Sequence, residues 1–311
     1  MRGGMPMRFL KGLAISILGL LLFFSLSIFG MAFAMKQTIL NRSFVGAELN
    51  QLDVSGLLKE TIGEQISRQL SQSVGQQYPQ LRQTIAPVIN NTITDLDPWL
   101  KKQINDLVNA SYDYFLGTSP TLNFKISLDT VKDTLNKNMR PIIVQAPELA
   151  QVPPAQREQF ADGMIEGLTK QLPATIDLNQ ILSRDVRNTL ADVKQGISYF
   201  QMAYWGLPIL MLLLILGIIF INRNLKLSTR NLGTTLLTIG IFEYAGIFLT
   251  NYFMGTQSLP GLPTALQKWL PQFLKALSAP LVTFSIVAGI IGLVLLIISF
   301  LVKGKPKSTQ Q

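Results

Sequence analysis

Residues 183–222 read SRDVRNTLADVKQGISYFQMAYWGLPILMLLLILGIIFIN. The first half predicts an amphipathic helix, because apolar residues recur three or four positions apart behind Ser183, a favoured N-cap residue. The second half, 200–221, is almost continuously apolar and long enough to cross a bilayer. Only Gly196 lies at the junction. We therefore expect a water-exposed helix to run directly into a membrane helix, with Gly196 as a candidate hinge.

The composition of the whole chain agrees with a membrane protein. Of 311 residues, 48% are hydrophobic and only 14% are charged, and the mean hydropathy is +0.32. Four apolar stretches, each about as long as one crossing requires, account for this balance. The predicted transmembrane helices are 13–35, 200–221, 232–253 and 281–302.

The remaining segments complete the predicted organisation. They are a cytoplasmic N-terminus at 1–12, an extracytoplasmic domain at 36–199, a cytoplasmic loop at 222–231, an extracytoplasmic amphipathic segment at 254–280 and a cytoplasmic tail at 303–311. The fold class is thus a mainly α membrane protein. Its extracytoplasmic domain, mostly helical with minor β structure, is inserted between the first two transmembrane helices.

The distribution of charge predicts the orientation. The formal net charge is +9, and the segments 1–12, 222–231 and 303–311 contain basic residues but no acidic ones. The segment 36–199 carries the two signs in nearly equal number. This positive-inside pattern predicts a multi-pass protein of the cell membrane with both termini cytoplasmic. The basic residues then indicate topology and contact with lipid, and no nucleic-acid partner is expected.

The first apolar stretch has an alternative interpretation. Ala32, Phe33 and Ala34 have the small-x-small form of a signal-peptide cleavage site. The apolar run is nevertheless about 20 residues, longer than the roughly 7–15 of a signal-peptide core. An uncleaved membrane anchor is therefore favoured.

Within 36–199, helices and two short strands are expected. Apolar stripes four residues apart predict helices in the first part of this domain, and Asp97 with Pro98 predicts a capped helix that Gly117 ends. The stripes are Leu58, Ile62, Ile66 and Leu70, then Leu81, Ile85, Ile89 and Ile93. Alternation predicts a strand at 122–128 that could pair with an extended segment at 173–178. A helix at 129–138 is expected to end before a proline, with a possible strand at 142–144.

Missing residue types exclude several functions. The chain has no cysteine and no histidine. Disulfides, thiol nucleophiles, Ser-His-Asp triads and His-ligated or Cys-ligated metal sites are therefore excluded. No catalytic residue, cofactor or metal site is predicted, and the protein is not expected to be an enzyme.

Glu243 is the strongest candidate functional residue. It is the one ionisable residue at the centre of a predicted transmembrane helix, a costly position that indicates function by default. It is expected to bind a proton or cation, or else to make a purely structural hydrogen bond to a neighbouring helix. Gly240 and Gly246 share its helix face, and Ser285 and Gly289 form a small-xxx-small pair, so these four residues are candidates for close helix packing.

Two polar groups in the extracytoplasmic domain have simpler explanations. Asp53, Ser55 and Lys59 suggest a Ser/Lys nucleophile pair, but a helix N-cap at Asp53 explains the pattern better. A group of aspartates lacks the spacing of a calcium loop; it comprises Asp95, Asp97, Asp106 and Asp113. Neither pattern predicts a site.

The functional prediction follows from class and topology. We expect a non-enzymatic membrane protein whose extracytoplasmic domain mediates assembly, partner binding or signal relay through the helix at 183–221. Its partners are the lipid bilayer and either a second copy of the chain or another membrane protein. The alternative is a homo-oligomeric channel or transporter subunit that uses Glu243.

Overall fold

The computed structural model describes residues 7–63, 82–170, 172–256 and 261–302. It is mostly helical and divides into two compact units, each with residues from separate parts of the sequence. The span unit comprises Met1–Phe44, Gln195–Gln257 and Pro271–Gln311, and the intervening unit comprises Val45–Lys194 and Ser258–Leu270. Predicted features at Ile66, Leu70, Leu81 and the tail 303–311 lie outside the described residues.

Four helices are long and apolar enough to cross a membrane. They are α1 (Met7–Gln37), α9 (Arg184–Asn222), α10 (Leu225–Thr256) and α11 (Thr264–Leu301). Each of these helices has at least 29 residues, and its apolar window of 18 residues has a mean hydropathy between 1.6 and 2.9. A crossing needs about 20 residues. The first three predicted apolar stretches lie within these helices, and the fourth, 281–302, lies within α11 up to Leu301. Four such helices have the length and composition of a multi-pass membrane protein.

Burial in the span unit is the reverse of that in a soluble protein. A core cluster joins α1, α9 and α10 through Leu22, Met211, Leu214, Ile218 and Leu232. Large apolar side chains also cover the outside of these helices, where many of them are more than half exposed. Because so much exposed apolar surface is unfavourable in water, the lipid phase is the environment that this surface fits.

The connection between α9 and α10 is shorter than predicted. The sequence predicted a loop at 222–231, but α9 ends at Asn222 and α10 begins at Leu225. Arg223 adopts a left-handed conformation with φ of 52°, and the Asn224 side chain accepts a hydrogen bond of 3.0 Å from the Lys226 backbone N–H. The polar residues that follow are therefore the capped first turns of a helix. The result is a tight αα-hairpin.

The last helix also differs from the prediction. The segment 254–280 was expected to be separate from the last transmembrane helix. Instead, α11 runs from Thr264 to Leu301 with Pro271 and Pro280 inside it. Each proline removes one backbone hydrogen bond, a loss that neighbouring groups compensate in apolar helices. The prolines therefore do not end the helix.

The intervening unit is built from shorter helices. They are α2 (Arg42–Asn50), α3 (Val54–Leu58), α4 (Arg82–Asp95), α5 (Asp97–Phe115), α6 (Asp129–Val144), α7 (Pro154–Thr169) and α8 (Leu178–Ile181). A π-helical turn, Lys59–Gly63, follows α3, and a 3-10 turn, Pro147–Leu149, follows α6. Its main core cluster consists of Val88, Met139, Ile143, Ala161 and Ile165, and a smaller cluster joins Ile89 and Ile93 to Leu58.

Helix α5 begins and ends close to the predicted positions, but with a different cap. Leu96 is the N-cap residue and makes no side-chain capping bond, so the predicted cap at Asp97 is wrong. Asp97 lies in the first turn and pairs with Lys101 at 2.8 Å. Helix α4 ends at Asp95, so only Leu96 separates it from α5. Gly117 has φ of +84°, which suits the left-handed residue that follows a helix.

The two predicted strands pair, but they are short. Strand β1 (Lys125–Ser127) is antiparallel to β2 (Thr175–Asp177), with Ile126 opposite Ile176. The sequence had left this pairing open. The possible strand at 142–144 is wrong, since those residues end α6. Met139 and Ile143 are four residues apart, and both are buried in the main core cluster, so packing keeps the helix intact past its proline.

Candidate intramembrane site

Glu243 lies on α10 and is buried against α1 and α11. Only 7% of its surface is exposed, and neither carboxyl oxygen makes a hydrogen bond within the described part of the chain. Ser27 of α1 lies near the carboxyl group and is close enough to interact with it. A Cβ atom placed on Gly30 would stand 3.2 Å from Glu243 Oε1. The absent side chain at Gly30 therefore makes room for the carboxyl group.

A cavity of about 400 Å³ opens beside this carboxyl group. Eleven residues from three helices line it: Ser27 and Met31 of α1; Phe242, Glu243, Gly246, Ile247, Thr250 and Asn251 of α10; and Leu274, Ser278 and Leu281 of α11. Glu243 is the only ionisable residue among them. The volume lies within the usual range for a small-molecule pocket.

The polar residues of the cavity gather toward one end. Asn251 Nδ2 donates to Ser278 Oγ at 3.4 Å, and the Thr250 hydroxyl donates to the Gly246 carbonyl at 2.9 Å. The Ser278 hydroxyl donates in turn to the Lys275 carbonyl at 2.8 Å. These groups therefore have partners, whereas the carboxyl oxygens, about two turns away along α10, meet no hydrogen-bond geometry within the described residues.

The candidate glycines have different surroundings. A Cβ atom on Gly240 would lie 2.6 Å from the Ser285 carbonyl oxygen and 2.7 Å from the Gly289 Cα, so the structure brings together three of the candidate packing residues. A Cβ atom added to Gly246, or to Gly196 in α9, would have no other atom within 4 Å. Gly246 thus borders the cavity, and Gly196 lies in an open stretch of helix.

Other contacts were not foreseen from the sequence. Gly233 and Gly292 form a second close approach between α10 and α11, since a Cβ atom on Gly233 would lie 2.9 Å from the Gly292 carbonyl oxygen. Lys36 of α1 lies over the rings of Tyr204 and Trp205 of α9, with its ammonium 4.3 and 4.8 Å from the two centroids. Small-residue spacing and the basic and aromatic residues near the ends of the predicted membrane spans are visible in the sequence, but their pairing is not.

The polar groups of the intervening unit have structural roles. Asp53 accepts hydrogen bonds from the Gly56 N–H at 2.8 Å and the Ser55 hydroxyl at 3.0 Å. These bonds hold the pKa of Asp53 below its ordinary value and confirm the predicted N-cap. The Ser55 hydroxyl therefore donates to Asp53, which is not the arrangement of a Ser/Lys nucleophile pair.

Three of the four grouped aspartates lie beside cationic side chains, and one of these is Asp97 with Lys101. Asp95 accepts from the Asn138 amide at 3.2 Å and from the Lys137 ammonium at 3.3 Å, and these contacts lower its pKa. Asp106 pairs with Lys102 at 2.6 Å. Ion pairs at the surface account for these groups, and a shared metal is not needed to explain them.

No protein-family model, curated protein or solved structure matches this chain. Its function is therefore inferred from its residues and their geometry.

Proposed function

We propose that the protein lies in the cell membrane with both termini and the Arg223–Asn224 connection in the cytoplasm, and with residues 36–199 outside. The positive-inside distribution of charge supports this orientation. At the proposed cytoplasmic ends of α1, α9 and α10, the structure describes the basic residues Arg8, Lys11, Arg223, Lys226 and Arg230. The Lys11 ammonium also donates to the Asn222 carbonyl at 3.1 Å, so a cation from the start of α1 meets the C-terminal end of α9.

The absence of cysteine makes this topology directly testable. Ile181 and Leu225 are 67% and 68% exposed, and they lie before and after the apolar part of α9. In intact cells, a membrane-impermeant maleimide should label Ile181→Cys, and it should label Leu225→Cys only after permeabilisation. Labelling of Leu225→Cys alone in intact cells would reverse the orientation.

The proposed role is non-enzymatic. The extracytoplasmic domain associates with a second copy of the chain or with another membrane protein. Helix α9 then transmits the resulting conformational change to the membrane-spanning part of the chain. The observation that carries this proposal is the helix Arg184–Asn222 of 39 residues, which continues through Pro208 and is roughly 58 Å long at 1.5 Å per residue. A membrane crossing uses only about 30 Å of that length.

Each end of α9 is held by specific contacts within its own unit. In the intervening unit, the Lys194 ammonium donates to the Ser119 carbonyl at 3.2 Å and lies 4.4 Å from the centre of the Tyr114 ring. In the span unit, Met211 and Ile218 are buried in the core cluster. A helix fixed at both ends is suited to transmit a displacement along its axis.

The mass of the protein in nanodiscs, purified with native partners retained, tests the proposed association. We expect a complex with two or more copies of the chain or a stoichiometric complex with a second protein. A single chain without a partner at all accessible concentrations would contradict an assembly role.

A second candidate is a channel or transporter subunit. The observation that favours it is the buried carboxyl group of Glu243, which lies beside a cavity. By geometry, neither oxygen of this group makes a hydrogen bond within the described residues. Transport predicts that Glu243→Gln abolishes flux or proton coupling in proteoliposomes while the variant folds normally. Unchanged flux in that variant would remove the support for this candidate.

A further inference from the structure

We propose that the cavity at Glu243 is a binding site for a lipophilic organic ammonium ion that enters from the bilayer. The ligand places its N–H groups on the Glu243 carboxylate and its apolar body against the cavity wall. This inference goes beyond the assembly role and requires neither association of the extracytoplasmic domain nor flux.

The carboxyl group supplies the first reason. Glu243 is 7% exposed, and both of its oxygens lack a hydrogen bond within the described residues. A buried carboxyl group normally has a cation or several donors beside it, because an unpaired buried group is costly. No Lys or Arg is among the residues that line the cavity. A ligand that brings a cation with N–H donors supplies what the protein leaves out.

The cavity wall supplies the second reason. Most of the lining is apolar, including Met31, Ile247, Leu274 and Leu281. A Mg²⁺ or Ca²⁺ ion that has lost its waters requires about six oxygen ligands grouped around it. The Thr250 and Asn251 oxygens of this wall lie about two turns from Glu243 along α10. An ammonium ion on an apolar body needs one anionic contact and a surface that excludes water.

Aromatic rings around the site favour a cation further. Phe242 lines the cavity, and its ring lies 6.2 Å from that of Phe23. Phe284 approaches Gly30 closely enough that a Cβ atom there would lie 2.7 Å from the Phe284 ring. The faces of such rings attract cations.

The route of entry follows from exposure. Met31 and Phe242 line the cavity and are also 58% and 67% exposed on the outside of the span unit. That surface is the one suited to lipid, so the rim of the cavity opens toward the acyl chains. A compound that partitions into the membrane reaches the site without crossing water.

Equilibrium dialysis of the full-length protein in nanodiscs tests this site. The probes are radiolabelled 4-phenylbutylamine and its neutral analogue 4-phenylbutanol, with protein-free nanodiscs used to subtract partitioning into lipid. We expect saturable binding of the amine at one site per chain and little saturable binding of the alcohol. Glu243→Gln should weaken amine binding about tenfold or more, the usual effect of losing a charge-assisted hydrogen bond.

A second variant separates loss of the site from loss of the fold. Gly246→Leu fills the cavity but keeps the carboxyl group, and the open space around Gly246 accommodates the added atoms. Gly206→Leu is the matched control, since Gly206 in α9 is equally unobstructed and lies away from the cavity. Amine binding should be lost in the first variant and kept in the second.

Three results would overturn the proposal. They are the absence of saturable amine binding to the wild type, equal amine binding by the wild type and both cavity variants, and alcohol binding as tight as that of the amine. The last result would indicate a site for a neutral hydroxyl compound. Saturable binding of the amine in a protein that shows no flux would support this binding site and contradict the transport role.

Discussion

Replacing Gly240 with alanine should push α10 and α11 apart. The added Cβ atom would lie 2.6 Å from the Ser285 carbonyl oxygen, whereas ordinary contact begins at 3.4 Å. The backbones must therefore separate by roughly 0.8 Å, a gap that forfeits about a quarter to a half of the dispersion energy of each affected contact. Overpacking of this kind costs about 1–3 kcal/mol.

Gly246→Ala provides the matched control on the same helix. Its Cβ atom meets nothing within 4 Å, so this substitution should give only the gain in helix propensity, about 0.5–1 kcal/mol. Gly240→Ala receives the same gain, and the difference between the two variants isolates the steric cost at roughly 1–3 kcal/mol.

The assay is reversible unfolding in mixed micelles, followed by circular dichroism. We expect Gly240→Ala to unfold at a lower denaturant fraction than the wild type, and Gly246→Ala to unfold at an equal or higher one. If both variants unfold together, the close approach of α10 and α11 does not limit stability and the packing argument is wrong.

Three further predictions concern single side chains. The Ser183 hydroxyl accepts a hydrogen bond of 3.3 Å from the Val186 N–H. Ser183→Ala should therefore lower protection of the first turn of α9 in amide hydrogen exchange by about 0.5–1 kcal/mol, the cost of losing this N-cap bond. The folded-state pKa of Asp53 lies below its ordinary value. The Asp53 carboxylate therefore stabilises the fold at pH values above that ordinary value, and this stabilisation is lost as the pH falls through the folded-state pKa. Acid unfolding of Asp53→Asn should lack this pH-dependent loss of stability. Lys36→Met should destabilise the span unit by about 0.5–1 kcal/mol and Lys36→Arg should not, because arginine also stacks on Tyr204 and Trp205; thermal unfolding in detergent measures both.

The transmembrane helices could be predicted because one-dimensional information suffices for them. A run of about 20 apolar residues has few alternatives to a membrane helix. The helix bounds depend more on capping than on hydropathy. Residues after Arg223 are polar and resemble a loop. They are nevertheless helical, because the Asn224 side chain accepts a hydrogen bond from the Lys226 N–H and so caps the start of α10.

Packing explains what the sequence could not supply. Pro141 indicated the end of a helix, yet burial of Met139 and Ile143 in one cluster maintains α6 to Val144. Gly240 and Gly289 both showed small-residue spacing, but the sequence cannot say which helices meet.

The site has the same division between sequence and structure. The cost of a carboxyl group within a membrane helix indicated Glu243 without any structure. The cavity beside it depends on three helices that are far apart in the chain, so Ser27, Gly30 and Ser278 had no detectable signal in the sequence. The proposed ligand follows only from this arrangement.

Whether α9 transmits a change from the extracytoplasmic domain to the membrane is the central question. A nitroxide on Leu225→Cys, just after α9, reports local mobility, and a monovalent antibody fragment against the intervening unit supplies the perturbation. Gly196→Pro weakens the helix between the two, since proline removes a hydrogen bond and clashes with the preceding turn. Unlike the prolines inside the membrane helices, it would lie in an open stretch where nothing packs within 4 Å of the glycine. Gly196→Ala is the control that keeps the helix.

The electron paramagnetic resonance spectrum of the Leu225 label in nanodiscs, with and without the fragment, is therefore the most direct test. The account predicts that the fragment changes the spectrum in the otherwise unmodified chain and in Gly196→Ala, and that Gly196→Pro binds the fragment without a spectral change. An identical response in all three proteins, or no response in any of them, would contradict a relay through α9.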